Sequence, residues 1–172
     1  MEARVGRIGD NRLSVEHAYP ASLVALQFDQ SSRGCASMGA TQRACEFAVA
    51  DLRNLWPAFE RLNQSRGTAP YGELEGEGTE DERWRSFCPD FERQRAPSPA
   101  VVEPTASARG DLARAIIYMH FVYGLPLEPV VTDPNILLAW NDADPPDREE
   151  IAREDIIEAV QENGRNPLVP RQ

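Results

Sequence analysis

Apolar residues recur at helical spacing through the C-terminal half of the chain. They fall every three or four positions after Asp111, which predicts a buried helix over Asp111–Tyr123. Asp133, followed directly by a proline, predicts the start of a second, short helix, and Asp147 can cap a third helix. The segment from about residue 105 to about residue 167 is therefore expected to be the helical half of the protein.

The third helix is predicted to have one apolar and one charged face. The apolar residues expected in the core are Ile151, Ile156 or Ile157, and Val160. The charged residues expected to stay in water are Arg148, Glu149, Glu150 and Glu154.

The N-terminal half alternates between extended and helical patterns. Arg12–His17 is predicted to be a short strand, and Asp51–Trp56 a second extended piece that Pro57 terminates. Because proline suits the first turn of a helix, a helix is predicted over Pro57–Arg66, and the composition of Ala44–Ala50 also permits a helix. Strand, strand and helix is thus the expected order of this half.

Two polar stretches are predicted to be loops between these halves. Gly72–Glu82 is rich in glycine and acidic residues, and Pro89–Pro104 is interrupted by prolines. Each half alone is too small for a comfortable core, so 172 residues with 41% hydrophobic and 27% charged content suit a single domain over residues 1–172. The expected fold class is α+β and mainly helical.

The chain is strongly acidic. Its formal net charge of −10 argues against a general polyanion-coating protein, so any contact with nucleic acid must be local. All 18 basic residues are arginines, which suit forked phosphate contacts, although a GC-rich coding bias or a salt-adapted surface explains the same composition. No apolar run approaches the roughly 18–20 residues of a membrane span, and no secretory signal is visible at the N-terminus.

Few residues are able to carry catalytic chemistry. The chain has three cysteines, which allow at most one internal disulfide: Cys35, Cys45 and Cys88. Without a Cys-x-x-Cys pair or a Cys/His cluster, a structural zinc site is not expected. His120 lies on a predicted buried helix and is interpreted as structural. Glu16 and His17 end a predicted strand, but taken alone this pair fits a surface strand better than an active site.

A series of short sequence blocks changes this interpretation. They follow one another along the chain: Val15–Ser22, Ser32–Cys35, Ala50–Ala58 with Asn63 and Arg66, Phe87–Cys88, Asp90–Phe91, Glu103–Pro104, Arg109–Arg114 with Tyr118–Met119, Leu137–Trp140, Asp144–Pro145 and Asn163–Pro167. In these blocks the chain resembles the endonuclease I family, the periplasmic or secreted DNA and RNA nucleases of the ββα-metal (His-Me finger) type. The resemblance extends from about Val15 to Pro167.

The resemblance implies a role for each of five residues. His17 matches the family's general base, and Glu16 and Asn63 match its metal ligands, whose hard oxygen donors suit Mg²⁺, with Mn²⁺ or Ca²⁺ as substitutes. Arg33 matches an arginine that the family places near the scissile phosphate. Arg66 either contacts phosphate or pins the end of its helix through an ion pair, and both interpretations stay open. The catalytic ββα motif then spans about residues 12–66.

The function implied by the resemblance is a Mg²⁺-dependent, sequence-nonspecific endonuclease that cuts DNA and RNA to leave 5′-phosphate ends. We expect a monomer that is not membrane-bound and is periplasmic or secreted, with a disulfide between Cys35 and Cys88 and with Cys45 as a buried apolar residue. The alternative is a catalytically weak or inactive nuclease-fold module that binds or inhibits. The chain departs from the family in lacking lysine, in carrying Asn141 where histidine is common, and in lacking the longer N-terminal region with its export signal.

Overall fold

The computed structural model describes residues 6–8, 11–28, 35, 40–75, 88, 90–94 and 99–172. The chain divides into two units, of which the first comprises Met1–Thr68 with Met119–Leu125 and the second Ala69–Tyr118 with Pro126–Gln172. Helices and two small antiparallel sheets confirm the predicted α+β class, whereas the count of one domain stays a prediction. Among the described helices, none combines the length and the apolar character that crossing a bilayer requires.

The first unit contains a three-stranded antiparallel sheet with the strand order β1-β2-β3. Its strands are β1 (Gly6–Ile8), β2 (Asn11–His17) and β3 (Leu55–Phe59). Its helices are α1 (Ala21–Gln27), α2 (Ala40–Ala50), α3 (Glu60–Arg66) and the last residues of α4 (Ala106–Tyr123). The predicted strand Arg12–His17 is confirmed as β2, and the helical option for Ala44–Ala50 is confirmed within α2.

Strand β3 begins later in the chain than the predicted second strand. The Asp51 side chain accepts the N–H of Arg53 at 2.9 Å and caps a short 3-10 turn, Leu52–Asn54, so the extended backbone starts only after this turn. The prediction that Pro57 ends the strand is wrong, because β3 is an edge strand, where a proline is tolerated if its nitrogen faces away from the neighbouring strand. Helix α3 accordingly begins at Glu60.

A disulfide in the first unit joins Cys35 to Cys45, whose Cα atoms are 5.5 Å apart. The predicted pairing of Cys35 with Cys88 is therefore wrong, and Cys88 is a half-buried free thiol. Cys45 is fully buried, as expected, but as a disulfide partner on α2. The short pairing is favoured by chain entropy. Closing a loop between cysteines 10 positions apart costs less entropy than closing the much longer loop from Cys35 to Cys88.

The second unit contains a two-stranded sheet and three helices. Its elements are β4 (Glu92–Gln94), β5 (Val101–Glu103), α4 up to Tyr118, α5 (Asn135–Ala143) and α6 (Arg148–Val160). The prediction of a loop throughout Pro89–Pro104 is wrong, because β4 and β5 lie within it. Pro99 and Pro104 flank β5 without interrupting it, and Arg93 pairs with Val102 across the two strands.

The three predicted C-terminal helices are confirmed. Helix α4 begins at Ala106, before its predicted start, and α5 follows Asp133. The side chain of Asp147 caps α6 by accepting the N–H of Glu150 at 2.8 Å.

Two glutamates of α6 are buried, which contradicts the prediction that they stay in water. Glu150 is 5% exposed and Glu154 is 2% exposed. Arg114 donates to both carboxylate oxygens of Glu150, and Glu154 accepts the backbone N–H of Asn166 at 2.8 Å. The prediction failed because hydrophobic patterning places every carboxylate in water. Here the hydrogen bonds from Arg114 and Asn166 offset the cost of removing the two carboxylates from water.

The apolar face of α6 also differs from the prediction at its end. Ile157 is buried and Ile156 is exposed, so the face passes through Ile157. The expectation that Val160 faces the core is wrong, because Val160 is the last residue of the helix and is exposed.

Candidate functional site

The candidate site is built at the C-terminal end of β2, where the strand leaves the sheet. Glu16 pairs with Trp56 and His17 with Leu55 in the antiparallel register with β3. Immediately beyond His17, Asn54 holds the turn: its side chain accepts the N–H of Tyr19 at 2.6 Å and donates to the carbonyl of Tyr19 at 2.9 Å. Asn54 is fully buried, so these bonds are protected from water and fix the backbone next to the two candidate residues.

Helix α3 presents Asn63 and Arg66, one turn apart, to β2. The amide nitrogen of Asn63 donates to the hydroxyl of Ser14 at 3.0 Å and to the carbonyl of Val15 at 2.9 Å. A carbonyl oxygen only accepts, so the nitrogen must be the amide atom that faces Val15. Within the described part of the chain, the amide oxygen Oδ1 of Asn63 has no hydrogen-bond donor and is left as an acceptor.

Arg66 forms a buried ion pair with Glu16. Its Nη1 donates to Oε1 of Glu16 at 2.8 Å and to the carbonyl of His17 at 2.9 Å, and its Nη2 donates to the carbonyl of Ala18 at 3.0 Å. Burial raises the pKa of the Glu16 carboxyl, and the charge and hydrogen bond of Arg66 oppose that rise. Only Oε1 is engaged: among the described residues, nothing donates to Oε2 of Glu16.

His17 is half-buried and is held by a backbone group. Its Nε2 lies 3.1 Å from the carbonyl oxygen of Val49, near the end of α2. Since that oxygen accepts, Nε2 carries the proton and the neutral ring keeps its lone pair on Nδ1. Burial lowers the pKa of His17, the bond to Val49 raises it, and the nearby charge of Arg66 lowers it again. A lowered pKa favours the neutral imidazole, the form that can accept a proton.

The structure brings four of the five predicted site residues together on one strand and one helix. Glu16 and His17 lie on β2, and Asn63 and Arg66 lie on α3. The fifth, Arg33, lies outside the described residues. The ion-pair alternative for Arg66 is present in the structure, whereas its contact with phosphate stays a prediction.

Sequence reasoning missed two positioning groups, the side chain of Asn54 and the backbone carbonyl of Val49. Asn54 belongs to one of the blocks that carry the resemblance, but no periodicity or spacing distinguishes it from a surface asparagine. The contribution of Val49 is a main-chain atom, so its side chain gives no signal at all.

The oxygen donors left over at this site suit a hard divalent cation. A carboxylate oxygen of Glu16 and the amide oxygen of Asn63 are ligands that Mg²⁺ accepts while it keeps several waters. The described residues contain no group of three or more His, Cys, Asp or Glu side chains that could enclose a metal ion. The two oxygens could therefore hold a hard divalent cation.

Comparison with known proteins decides the family. A family model described as Endonuclease I matches residues 5–172. The chain belongs to the endonuclease I family. The resemblance inferred from the sequence blocks is thereby confirmed.

Three curated relatives show how this member compares with the rest of the family. A periplasmic deoxyribonuclease of Aeromonas hydrophila is 28% identical over 161 residues, which are 94% of this chain and 64% of the relative. An extracellular deoxyribonuclease of the same organism is 28% identical over 166 residues, 94% of this chain and 66% of the relative. Endonuclease-1 of Buchnera aphidicola is 28% identical over 152 residues, 88% and 57% of the two chains. The chain thus spans less than two thirds of the length of these relatives.

Proposed function

We propose that this chain is a Mg²⁺-dependent, sequence-nonspecific endonuclease that hydrolyses phosphodiester bonds of DNA and RNA. The single observation that carries the proposal lies at the end of β2: two oxygens, one of Glu16 and one of Asn63, lie near a histidine, His17. Within the described part of the chain, no hydrogen bond engages these two oxygens or the Nδ1 atom of His17. Family membership and the names of the relatives, two of them deoxyribonucleases, support the nuclease part of this proposal, with DNA as a substrate.

Glu16 and Asn63 are the proposed metal ligands. Each uses one polar atom to fix its own side chain. Among the described residues, one oxygen of each side chain is left for binding: Oε2 on Glu16 and Oδ1 on Asn63. A bound Mg²⁺ supplies Lewis-acid stabilisation of the charge that develops on the phosphate and the leaving oxygen. Mn²⁺ or Ca²⁺ is expected to substitute, because both accept carboxylate and amide oxygens.

His17 is the proposed general base. Nδ1 takes a proton from the attacking water, while the bond from Nε2 to the carbonyl of Val49 keeps the ring in the correct tautomer and orientation. In-line attack of that water on phosphorus breaks the bond to the 3′ oxygen and leaves a 5′-phosphate and a 3′-hydroxyl. The order β2, β3, α3, with His17 and Glu16 on a strand and Asn63 on the helix, supports a ββα-metal catalytic motif.

Arg33 is proposed to contact the scissile phosphate. Its forked guanidinium would stabilise the negative charge that builds up on the phosphate oxygens during attack. This role rests on the resemblance and on the chemistry of arginine. No recognition helix or zinc-finger spacing is apparent in the sequence, so cutting without sequence preference is the expected outcome.

The proposal also includes the location of the protein, which is periplasmic or secreted. The monomeric state stays a prediction from the sequence. Two of the three relatives are named periplasmic or extracellular deoxyribonucleases, and a disulfide between Cys35 and Cys45 is stable in an oxidising compartment. Both points support a periplasmic or secreted location for this chain.

Plasmid cleavage with and without chelator tests the proposed function. Supercoiled plasmid and total RNA should both be degraded with Mg²⁺, cleavage should stop in excess EDTA, and Mg²⁺ added back should restore it. Full activity in excess EDTA would contradict the metal requirement. Absence of cleavage with Mg²⁺, Mn²⁺ and Ca²⁺, together with retained binding to DNA, would instead support the inactive binding or inhibitory module, for which the net charge of −10 is the main argument.

A further inference from the structure

The environment of Arg66 differs from that of an arginine that waits for a substrate phosphate. The residue is only 4% exposed, although it lies on a short surface helix that also carries the exposed Arg61. A phosphate contact needs a guanidinium that nucleic acid can reach. Arg66 therefore offers nucleic acid almost no accessible surface.

Three hydrogen bonds of Arg66 lead to consecutive residues at the end of β2 and just beyond it. The guanidinium holds the carboxylate of Glu16, the carbonyl of His17 and the carbonyl of Ala18, at 2.8, 2.9 and 3.0 Å. Three consecutive residues are thus fixed by a single planar group. Lysine could not reproduce this contact, because an ammonium group has no fork of parallel N–H bonds.

The ion pair with Glu16 is asymmetric. Arg66 occupies Oε1, and within the described chain Oε2 has no donor. A glutamate has three rotatable side-chain bonds, and fixing them costs entropy that a metal ion would otherwise have to offset on binding. With Oε1 already bound, the carboxylate is held in one orientation before any ion arrives.

Arg66 also relates the two proposed ligands to each other. Asn63 precedes it by one turn on α3 and is itself bonded to Ser14 and Val15, so the two α3 side chains together hold β2 from residue 14 to residue 18. Loss of Arg66 removes the part of this contact that includes Glu16 and His17.

We propose that Arg66 is a positioning residue that presents Oε2 of Glu16 to the metal ion, and that it does not bind the substrate phosphate. The inference rests on the proposed function, since it assumes that Glu16 and Asn63 are the ligands. It predicts an effect on metal binding that exists without any nucleic acid present.

The experiment is a Mn²⁺ titration of the full chain without nucleic acid, with free Mn²⁺ followed by electron paramagnetic resonance. Arg66→Met should weaken Mn²⁺ affinity by about 10- to 100-fold, the usual loss when a partner of a metal ligand is removed. Arg66→Lys keeps the charge but not the fork, so a smaller loss is expected. Arg61→Met, which removes an exposed arginine from the same helix, should bind Mn²⁺ as the wild type does.

Circular dichroism and the melting temperature establish that each variant is folded, and Arg66→Lys provides the test if Arg66→Met does not fold. Wild-type Mn²⁺ affinity in folded Arg66 variants, with a raised KM for plasmid, would overturn the inference in favour of a phosphate contact. Wild-type affinity and KM with only a lower melting temperature would overturn it in favour of a structural brace. Glu16→Gln and Asn63→Ala are measured alongside: if neither weakens Mn²⁺ binding, the ligand assignment of the proposed function fails, whereas failure in the Arg66 variants alone refutes only this inference.

Discussion

The two units each contain a buried arginine–glutamate pair, and the two pairs differ in what they leave unbound. In the first unit, Arg66 donates to one oxygen of Glu16 and leaves the other without a donor among the described residues. In the second unit, Arg114 donates to both oxygens of Glu150, at 2.8 and 2.5 Å. All four side chains are nearly inaccessible to water, so burial alone does not distinguish the pairs.

The surroundings of Arg114 complete its network internally. It also donates to the carbonyl of Asp144 and to the side chain of Asp111, and its own carbonyl accepts from Asn166. A fully engaged buried pair has no carboxylate oxygen left for a ligand, and this pair holds α4 against α6. A pair with one spare carboxylate oxygen has such capacity. Both pairs are buried, so burial does not tell a structural ion pair from a candidate binding site. The number of carboxylate oxygens that accept hydrogen bonds does.

The largest effect is expected from the two histidines, one in the candidate site and one outside it. His17→Ala should lower turnover by about 10² to 10⁴, the usual contribution of a general base. His120 also bonds a backbone carbonyl, that of Leu125 at 2.7 Å, but it is not one of the residues proposed for the site. His120→Ala is therefore the matched control and should leave turnover of the folded protein unchanged. Plasmid cleavage under saturating Mg²⁺ measures both variants. Equal losses in the two would remove the distinction between the histidine of the candidate site and the histidine outside it.

Breaking the engaged pair of the second unit is expected to cost stability. Arg114→Met leaves Glu150 buried without its partner, so the free energy of unfolding should fall by about 3–5 kcal/mol in denaturant titration. Arg114→Met combined with Glu150→Met should recover most of that loss, because the unpaired charge is removed too. A single variant as stable as the wild type would show that this pair does not hold the helices.

Loss of the disulfide is expected to have a smaller effect, confined to the first unit. Cys35→Ser with Cys45→Ser should lower the free energy of unfolding by about 2–3 kcal/mol, from the loop entropy of a short closed loop. Cys88→Ser is the control and should be close to neutral, since Cys88 is free. Peptide mapping without reductant should recover Cys35 linked to Cys45; recovery of a peptide that contains Cys88 in disulfide linkage would contradict the structure.

The smallest effect concerns the pH dependence of the second unit. Burial and the neighbouring Glu150 raise the pKa of Asp111 to about 7, against the opposing effect of Arg114. Between about pH 4 and pH 7 the folded chain therefore keeps a proton that the unfolded chain has lost, so this group's contribution to stability falls as the pH rises. Asp111→Asn should be more stable than the wild type at pH 8 by about 1 kcal/mol, a modest figure because the side chain is 30% exposed, and equally stable at pH 4.

The control for this prediction is Asp142→Asn on α5, where the side chain is exposed and the pH dependence should not change. Thermal unfolding at a series of pH values measures the effect. An unchanged slope between pH 4 and pH 7 in Asp111→Asn would show that Asp111 does not carry the proton.

Elements that depend on local pattern could be predicted from the sequence. Helices α4, α5 and α6 follow from apolar periodicity and capping residues, and β2 follows from its alternation. What failed depends on tertiary partners. Burial of Glu150 required an arginine 36 positions away, and the passage of β3 through a proline required its place at a sheet edge.

The site shows the same division. The proposed ligand Glu16 and its partner Arg66 are 50 positions apart, and no spacing rule brings them together, so their proximity was expected only from the family resemblance. The fixed tautomer of His17 depends on a main-chain oxygen, and Asn54 acts through a turn that exists only once the chain is folded. Neither contact can be predicted from residue type or from the spacing of residues along the chain.

One paired measurement tests the central claim, that the spare oxygen of Glu16 marks the functional pair. Glu16→Gln and Glu150→Gln make the same isosteric change in the two units, and each is assayed for plasmid cleavage per folded molecule and for free energy of unfolding. Both variants should lose about 1–3 kcal/mol of stability, because each leaves a buried arginine facing a neutral amide. Glu16→Gln should in addition lose about 100-fold or more of its cleavage rate, whereas Glu150→Gln should cleave at the wild-type rate. Cleavage at the wild-type rate by Glu16→Gln would contradict the account.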